Sequence, residues 1–495
     1  MSILPIVLPL FFAILTLLFW NRLQIQKFLA LTGSLVLAGV SLFILASVLR
    51  DGIQVVQIGN WPAPFGISIV IDLFSAIMLA ITGVLALATC LYSQAQINLP
   101  RARFGFYPLF FFLLVGVNGA FTTGDLFNLY VWFEVMLMSS FVLIALGGER
   151  AQVEGAVKYV ILNLLSSVLF LSAIGLLYNL AGSLNLAELA SRLPGIQPYG
   201  QVTVVSVLFI IAFGIKSAIF PLFFWLPASY HTPPITITAL FSGLLTKVGI
   251  YSLMRVFTLL FIQDAGFTHT ILLVLAGLTM VIGVFGAAAQ TDFRRLLSFH
   301  IISQIGYLLL ALGLFSQPAL AAGIYFMLHV ILAKTALFLV SGLVNQLSGS
   351  YDLKQLGGLY ARNPAISLMF LLPALSLAGL PPLSGFFAKL ALIIAGFELR
   401  QYLVIGVGLF VSFFTLYSMT KVWNEAFWKE KKASNPVQAR PPLVSAWMWA
   451  PTLALVILST AVGLLAEPIF RVCQSAAITL MDPSAYIAAV LGSLP

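Results

Sequence analysis

Charged residues are scarce in this chain of 495 residues. Only 8% of its residues are Asp, Glu, Lys or Arg, whereas about a quarter of the residues of a soluble protein carry a charge. Hydrophobic residues make up 61% of the sequence, and the mean hydropathy is +1.08. This balance excludes a soluble enzyme, a disordered chain and a nucleic-acid-binding protein. It indicates a helical protein that crosses a membrane many times.

Cysteines and cofactor-binding motifs are also lacking. The two cysteines, Cys90 and Cys473, lie far apart in the sequence and predict neither a disulfide framework nor a metal site. The sequence has no nucleotide-binding P-loop, no cluster of His, Cys and Asp with metal-ligand spacing and no nucleophile elbow. We therefore expect no cofactor and no bound metal. An ion gradient or a partner subunit must then drive whatever the protein does.

What the sequence does contain is a series of apolar segments of about 20 residues, each long enough to cross a bilayer as a helix. The first is followed by its basic residues Arg22 and Lys27, the reverse of the charge order in a signal peptide, so we expect it to remain as the first span. Fourteen spans are predicted, with no soluble domain between them, so residues 1–495 should form a single all-α membrane domain. The spans are 2–20, 28–49, 67–92, 105–122, 125–147, 154–181, 202–230, 235–262, 268–290, 292–314, 318–344, 365–397, 402–427 and 446–468.

Basic residues are distributed unequally between the loops on the two sides of the predicted membrane. With the N-terminus outside, fourteen of them fall on the cytoplasmic side and four on the outer side, and cytoplasmic loops are the ones enriched in Lys and Arg. We therefore predict a multi-pass protein of the cell membrane with both termini outside. The cytoplasmic set is Arg22, Lys27, Arg101, Arg103, Arg150, Lys158, Arg294, Arg295, Lys354, Arg362, Lys429, Lys431, Lys432 and Arg440, and the outer set is Arg50, Arg192, Arg400 and Arg471.

Two predicted spans are interrupted by proline, which removes a backbone donor and breaks a helix. The seventh span is interrupted at Pro221 and Pro227, just after Lys216, and the twelfth is interrupted within residues 379–385, just before Lys389. The two spans are five apart, run in opposite directions and show the lysine and the break in opposite order. This is the pattern of two inverted repeats with ion sites at their broken helices.

The repeats would consist of spans 4–8 and 9–13. They would occupy residues 105–262 and 268–427, followed by a terminal helix and a short tail over residues 446–495. The alternative is that two Pro-rich spans coincide by chance.

Five charged residues lie near the middle of predicted spans, where a charge costs roughly 2.5–3.5 kcal/mol. They are Glu134, Lys216, Lys247, Lys334 and Lys389. Together they would cost on the order of 12–18 kcal/mol if unpaired, so they must face the interior of the helix bundle. We expect Lys216 to be the partner of Glu134, and the alternative is a purely structural ion pair. A buried lysine without an anion can release and regain a proton, which is the property that a proton relay requires.

Four other titratable residues and one tyrosine add to this set. His329 lies five residues before Lys334, with Tyr325 one turn before it, and we expect it to take part in the relay rather than to be a satisfied core residue. For His300 both roles, relay member and core residue, remain open. His231 is a candidate for proton uptake at the cytoplasmic mouth of the seventh span. Arg255 is either an interface residue or part of the outer half-channel.

Structural roles are expected for several other polar residues. Asp125 and Asp292 stand where helices begin and are predicted to be N-caps. Asp72 and Lys421 should reach the membrane interface, and His269 should lie at the surface.

The residues described so far resemble those of a known family. The runs Phe127-Asn-Leu-Tyr-Val-Trp-Phe-Glu134-Val-Met-Leu-Met-Ser-Ser-Phe, Lys216-Ser-Ala-Ile-Phe-Pro-Leu-Phe-Phe-Trp-Leu-Pro-Ala and Leu380-Pro-Pro-Leu-Ser-Gly-Phe-Phe-Ala-Lys389 resemble the proton-translocating antiporter-like subunits. Mrp-type Na⁺/H⁺ antiporters, respiratory complex I and membrane-bound hydrogenases share these subunits. The resemblance runs over nearly the whole chain, and the run after Glu134 is similar to the D-type subunits of the Mrp antiporters. Ala388 departs from the Gly expected before the lysine.

The resemblance implies a role for each candidate residue. Glu134 and Lys216 would form the ion pair of spans five and seven, Lys247 would be the central lysine of span eight, and His329 with Lys334 would form the relay on span eleven. Lys389 would be the last lysine, next to the outward channel. The long lateral helix of the largest family members is not expected here, because fewer than thirty residues follow Glu467.

The function implied is that of a proton-translocating subunit in a multi-subunit antiporter, which exchanges H⁺ for Na⁺ or K⁺ and is not an enzyme. Its partners would be homologous and small membrane subunits of the same complex and the lipid bilayer. One alternative is a proton-pumping subunit of a complex I-like oxidoreductase or a membrane-bound hydrogenase. Another is a membrane scaffold that no longer transports.

Overall fold

The computed structural model of the chain describes residues 1–430 and 444–492. The predicted cytoplasmic residues Lys431, Lys432 and Arg440 lie outside the described residues. The helices of the first half are α1 Leu4–Leu18, α2 Leu23–Asp51, α3 Leu73–Gln96, α4 Leu99–Arg103, α5 Phe106–Thr122, α6 Leu126–Ala145, α7 Arg150–Ala181, α8 Leu186–Arg192, α9 Tyr199–Ser217, α10 Trp225–Ser229 and α11 Ile235–Leu259.

The helices of the second half are α12 Ala265–Ala289, α13 Phe293–Gly313, α14 Gln317–Ser348, α15 Leu359–Arg362, α16 Pro364–Ala378, α17 Ser384–Glu398, α18 Tyr402–Val422, α19 Ala446–Leu464, α20 Ala466–Met481 and α21 Ser484–Leu491. A π-helical segment, Trp423–Trp428, continues α18. Two strands, β1 Gln54–Gln57 and β2 Ser68–Ile71, form an antiparallel hairpin with Gln54 opposite Ile71.

Among the described residues, eleven helices are long and apolar enough to cross a membrane: α2, α3, α6, α7, α9, α11, α12, α13, α14, α18 with its π-helical end, and α19. Three shorter apolar helices, α1, α5 and α16, have 15 to 17 residues. The protein is therefore a mostly helical, polytopic membrane protein, as the composition predicts.

The bundle has a buried central row and an apolar periphery. Every residue of α11 is buried, and 94% of the most apolar window of α13 and of α14 is buried as well. Only 39% of the corresponding window is buried in α2, α7, α12 and α18. The peripheral helices thus present their outward side chains to lipid, while α11, α13 and α14 lie where polar groups can only meet other protein groups.

Capping side chains fix where several helices begin. The side chain of Asp125 accepts a hydrogen bond from the backbone of Asn128 at 2.7 Å, and that of Asp292 accepts one from Arg295 at 2.8 Å. Both predicted N-caps are confirmed. Such caps satisfy backbone donors that the first turn of a helix leaves free.

The span predicted over residues 67–92 was wrong at its start. Residues 68–71 form strand β2 and the helix begins only at Leu73, after the N-cap Asp72, and continues to Gln96. The β-branched run Ile69-Val-Ile71 favours a strand, and the Asp72 side chain accepts a hydrogen bond from the backbone of Ser75 at 2.9 Å. Strand β2 and its partner β1 are the two strands among the described residues, which are otherwise mostly helical.

The region predicted as a short tail after residue 468 contains helical structure. The chain turns at Leu465, between α19 and α20, and α20 and α21 follow. The sequence analysis missed α20 because it is shorter than a span and carries Glu467 and Arg471 on its exposed side. Its apolar side packs along α14.

Both predicted helix breaks are present. The first is the gap between α9 and α10, which opens at Ala218 in the left-handed conformation (φ 58°), three residues before Pro221. The second is the gap between α16 and α17, which opens at Gly379 (φ 93°). Each break therefore starts before its first proline, at a residue whose backbone has already left the helix.

Candidate functional site

Glu134 lies on α6 and Lys216 on α9. Both helices pack against α7, and the hydroxyl group of Ser167 on α7 joins the two side chains. Ser167 Oγ makes a very short hydrogen bond to Glu134 Oε1. The Lys216 ammonium donates to Ser167 Oγ at 3.2 Å and to the backbone oxygen of Asn163 at 3.3 Å. The acid and the lysine, both among the described residues, form no direct ion pair, so the expected partnership exists but passes through a serine.

The break after α9 places Lys216 at the end of a helix. Lys216 occupies the last turn of α9, and the chain leaves the helix two residues later. The indole N–H of Trp225 donates at 2.9 Å to the backbone oxygen of Ile215, which also accepts from the Ala218 amide at 3.1 Å, so α10 is bonded to the end of α9 across the break. The end of α9 packs directly against Gly249 of α11, where an added Cβ would overlap the hydroxyl of Ser217.

Lys247 lies at the centre of α11 and is fully buried. Its ammonium donates to the backbone oxygen of Ser242 on the same helix at 2.5 Å, and no carboxylate of the described residues forms an ion pair with it. A single carbonyl does not neutralise an ammonium charge, so this group is held in place without being locked into an ion pair.

Lys334, on α14, is the next buried lysine. It is fully buried and its ammonium donates to the backbone oxygen of Leu297 on α13 at 3.1 Å. Its helix, α14, packs against α11, the helix of Lys247. The two helices come close here because Gly243 of α11 faces Thr335, whose hydroxyl would be 2.7 Å from an added Cβ.

His329 is packed against the second helix break. Its Nδ1 is 2.8 Å from the hydroxyl of Ser384 and 3.3 Å from that of Ser376, and the two hydroxyls are 3.1 Å apart. Ser376 lies before the break and Ser384 after it, so the histidine connects both halves of the broken helix. Gly385 permits this close approach, since a Cβ there would be 2.8 Å from His329 Nε2.

Lys389 follows the same break, on α17. Its ammonium donates to the backbone oxygens of Leu377 at 2.9 Å and Ala378 at 3.2 Å, the carbonyls that end α16. The C-terminal end of a helix carries a partial negative charge that favours a cation. The ammonium also lies 4.9 Å from the ring centre of Tyr307, within the range of a cation–π contact. Ala388, the residue that departs from the family pattern, is fully buried.

The four lysines share one chemical feature. Each donates to backbone oxygens, and none forms an ion pair with a carboxylate among the residues that the structure describes. Lys247 and Lys334 lie on the adjacent helices α11 and α14, and His329 and Lys389 both contact the last residues of α16. Buried basic groups without an anion are of the kind that can release and regain protons.

The other predicted residues have diverse surroundings. His231 is partly buried, with Nδ1 2.7 Å from the backbone oxygen of Pro227. The Tyr325 hydroxyl donates to the backbone oxygen of Val462 at 2.8 Å. His300 is fully buried, with Nε2 2.7 Å from the hydroxyl of Ser418.

Arg255 is part of a buried ion pair with Asp72 rather than a residue open to a channel or an interface. The two Arg255–Asp72 contacts measure 2.5 and 2.8 Å, and Asp72 is only 1% exposed. The expectation that Asp72 reaches the membrane interface was therefore wrong. His269, expected at the surface, is buried too, with its ring 4.1 Å from that of Phe315. Lys421 is partly buried and donates to two backbone oxygens near the end of α12.

Sequence reasoning overlooked the small polar residues that hold the charged ones. Asn163 and Ser167 are four residues apart on α7, and Ser376 and Ser384 flank the second break. The first pair had a detectable signal, because two polar residues at that spacing share one face of a helix. Ser384 lies in the proline-containing run of residues 380–389, where nothing in the sequence distinguishes its hydroxyl from that of any other serine.

Comparisons with known proteins agree on one family. Residues 123–415 match the transmembrane family described as NADH:quinone oxidoreductase/Mrp antiporter. The D subunit of a Na⁺/H⁺ antiporter from Alkalihalophilus pseudofirmus is 45% identical over 99% of both chains.

Two solved structures have the same fold. A chain of the Mrp complex from Dietzia sp. DQ12-45-1b has a TM-score of 0.91 and 32% identity, with 99% of each chain covered. A chain of a membrane-bound sulfane sulfur reductase, an archaeal respiratory membrane complex, has a TM-score of 0.91 and 27% identity, again with 99% of each chain covered. With the family model matching more than half of its length, this chain belongs to the NADH:quinone oxidoreductase/Mrp antiporter transmembrane family.

Proposed function

We propose that the protein is the proton-translocating subunit of a multi-subunit antiporter that exchanges H⁺ for Na⁺ or K⁺. The observation that carries the proposal is the row of buried lysines, each held by backbone oxygens instead of a carboxylate. The Na⁺/H⁺ antiporter relative and the Mrp complex support the same assignment. The protein is then a secondary transporter subunit and not an enzyme in the usual sense.

Protons would move along the central row by local electrostatic coupling. A proton gained by Lys334 makes it less favourable for Lys247 to keep its own, since the two charges interact. At one end of the row, rotation of the Ser167 hydroxyl away from Glu134 would weaken the link between Glu134 and Lys216. At the other end, Lys389 would exchange protons with the outer side.

The proposed architecture has fourteen transmembrane segments. The eleven long apolar helices and the three shorter ones, α1, α5 and α16, add up to that number. In this scheme α9 with α10 forms the seventh segment, and α16 with α17 forms the twelfth.

Matching backbone contacts support the two inverted repeats over residues 105–262 and 268–427. Leu126 N donates to Leu184 O at 3.0 Å, and Phe293 N donates to Tyr351 O at 2.9 Å. Both residues of the second pair lie 167 positions after their counterparts (293 − 126 and 351 − 184). Helices α7 and α14, each of 32 residues, begin 167 positions apart as well (317 − 150). Lys334 thereby occupies the position in α14 that Ser167 occupies in α7.

The proposed location is the cell membrane, with both termini outside, and the excess of Lys and Arg in the predicted cytoplasmic loops supports this orientation. Other membrane subunits of the same complex and the surrounding lipid would be its partners. Cysteine labelling tests the topology. In a Glu467→Cys variant the new thiol, near the C-terminus, should react with an impermeant maleimide in intact cells, and in Lys354→Cys it should react only after the membrane is opened. The reverse pattern would contradict the orientation.

Transport by the complete complex tests the function. In everted vesicles of a strain that lacks its own antiporters, added Na⁺ or K⁺ should release the pH gradient when the parent complex is present. Lys216→Ala and Lys389→Ala should abolish that release without lowering the amount of assembled complex, because each removes a proton-carrying group. Unchanged exchange in both variants would refute the proposal.

A redox-driven pump is the second candidate, because the sulfane sulfur reductase chain has the same fold over 99% of its length. The subunits that copurify with the protein discriminate between the two. Partners carrying iron–sulfur or hydrogenase centres would favour the pump, and additional antiporter subunits would favour the first proposal. A scaffold without transport would be indicated by full function of the complex with Lys389→Ala.

A further inference from the structure

Two polar residues of α13, His300 and Gln304, lie beside the lysine row and have no place in the mechanism above. Both are fully buried. They are four residues apart and therefore share one face of the helix, with Cβ atoms about 5–6 Å from each other. That face meets α18, because His300 contacts Ser418 and Tyr307 contacts Ser412.

The hydrogen bonds of Ser418 determine which nitrogen of His300 carries its proton. The Ser418 hydroxyl is 3.0 Å from the backbone oxygen of Thr415 and 2.7 Å from His300 Nε2. Since a hydroxyl has a single proton, both bonds form together only when Ser418 donates to Thr415 and accepts from His300 Nε2–H. Nδ1 of the neutral ring is then a free acceptor, and no donor of the described residues reaches it.

Gln304 complements this free acceptor. Neither its side-chain oxygen nor its side-chain nitrogen has a hydrogen-bond partner within the described part of the chain. A buried amide without partners costs roughly 2–7 kcal/mol, so a ligand that can both donate and accept is needed at this place. Water has this chemistry. A water held between Gln304 Nε2 and His300 Nδ1 would give each of these two nitrogens a partner, and a second water could donate to Gln304 Oε1.

The position of this pair connects two members of the lysine row. Lys334 donates to Leu297, one turn before His300, and Lys389 lies against Tyr307, one turn beyond Gln304. These contacts are ten residues apart on α13, a rise of about 15 Å. His300 and Gln304 thus lie between the places where the two lysines contact α13.

We propose that His300 and Gln304 bind water and form a second proton path between Lys334 and Lys389, parallel to the path through His329. The inference rests on the proposed function. Because the two lysines are too far apart for one water to reach both, the path is a hydrogen-bonded chain of waters in which the bound water is one member. When the Lys334 ammonium gives a proton to the first water, each water passes one of its own protons to the next, and the last water gives a proton to Lys389. The waters are unchanged after each transfer, and the charge that leaves one lysine arrives at the other.

A double-mutant cycle in the complete complex tests for parallel paths. Gln304→Met keeps the side-chain volume and removes the amide, and His329→Ala removes the first path. If the two paths carry similar flux, either variant alone should lower the antiport rate about twofold, and the double variant should lower it by more than about tenfold, well beyond the product of the single effects. The concentration of cation needed for the half-maximal rate should stay unchanged, because the proposed role of the pair is in proton transfer and not in cation binding.

Additional variants keep the test decisive. His300→Phe removes the Nδ1 acceptor and should behave like Gln304→Met in both backgrounds, while Gln304→Asn, which keeps the amide, should restore part of the rate. Thr415→Val is the matched control on the facing helix, since its hydroxyl bonds only to its own helix, at Val411, and is not part of the water site. Rates are divided by the amount of assembled complex.

Three results would overturn the inference. The first is an antiport rate of the double variant no lower than the product of the two single effects. The second is a single variant whose antiport rate is already as low as that of the double variant. The third is an unchanged antiport rate in both Gln304→Met and His300→Phe. Lys216→Ala, measured in the same vesicles, separates this outcome from failure of the proposed function. If Lys216→Ala abolishes exchange while the α13 variants are silent in both backgrounds, only the second path is refuted.

Discussion

The serine between Glu134 and Lys216 gives the sharpest prediction. Ser167→Ala removes the hydroxyl that accepts a hydrogen bond from the Lys216 ammonium at 3.2 Å and binds the Glu134 carboxylate. A hydrogen bond to a charged group contributes about 1.5–3 kcal/mol. If that interaction is needed in the rate-limiting step, its loss lowers the antiport rate roughly 10- to 100-fold, since about 1.4 kcal/mol corresponds to a factor of ten.

The assay is cation-induced release of a respiratory pH gradient in everted vesicles, followed with a fluorescent pH indicator. Ser166→Ala is the matched control. Ser166 is the neighbouring buried serine on α7, and its hydroxyl donates to the backbone oxygen of Ala212 at 2.7 Å, away from both charged groups. It should transport at close to the parent rate, while Ser167→Thr should retain much of the rate because the hydroxyl remains. Equal antiport rates for Ser167→Ala and Ser166→Ala would refute a role in transport for the link that Ser167 makes between Glu134 and Lys216.

Three further predictions concern other parts of the molecule. Lys247→Arg keeps a positive charge that cannot be released, so antiport should be lost in assembled complex, and a transporting variant would exclude proton release at this position. Asp72→Asn leaves the guanidinium of Arg255 buried without its anion and should cost about 3–5 kcal/mol, seen as a lower thermal midpoint of the solubilised complex; an unchanged midpoint would refute this. Gly385→Ala forces a Cβ into the backbone of α16 and should prevent assembly of the complex. Gly406→Ala should not, because no described atom lies within 4 Å of the added Cβ. Equal amounts of assembled complex for the two variants would contradict the close contact between Gly385 and α16.

Much of the fold follows from the sequence because membrane helices are specified by composition. A run of apolar residues must form a helix in a bilayer to satisfy its own backbone. The breaks at Pro221 and within residues 379–385 could be predicted because proline removes a backbone donor that such a helix needs. The strand at residues 68–71 was not predicted because Ser68 and the three apolar residues after it are continuous with a span, and their hydropathy is the same in a strand or a helix.

Only part of the candidate site could be predicted from the sequence. A charge in an apolar span is conspicuous, so Glu134 and the buried lysines could be named in advance. Their partners could not, since Ser167 and the carbonyl oxygens are ordinary groups in any helix and gain their role through contacts between helices far apart in sequence. Asp72 was assigned to the membrane interface because its position near the start of a span suggested it, and only the arrangement in space brings it to Arg255, 183 positions later.

The ion pair of Asp72 and Arg255 has a consequence for how the chain is made. The ring of Tyr486 lies 5.6 Å from the Arg255 guanidinium, and the side chain of Gln57 reaches the backbone oxygen of Val490 at 3.4 Å. Residues from the beginning, the middle and the end of the chain thus meet at one place. Because synthesis proceeds from the N-terminus, this place is completed only after nearly all of the chain has left the ribosome. A chain interrupted before α21 would leave the Arg255 guanidinium with the rings of Phe74 and Tyr251 but without that of Tyr486, so the surroundings of this buried ion pair are completed last.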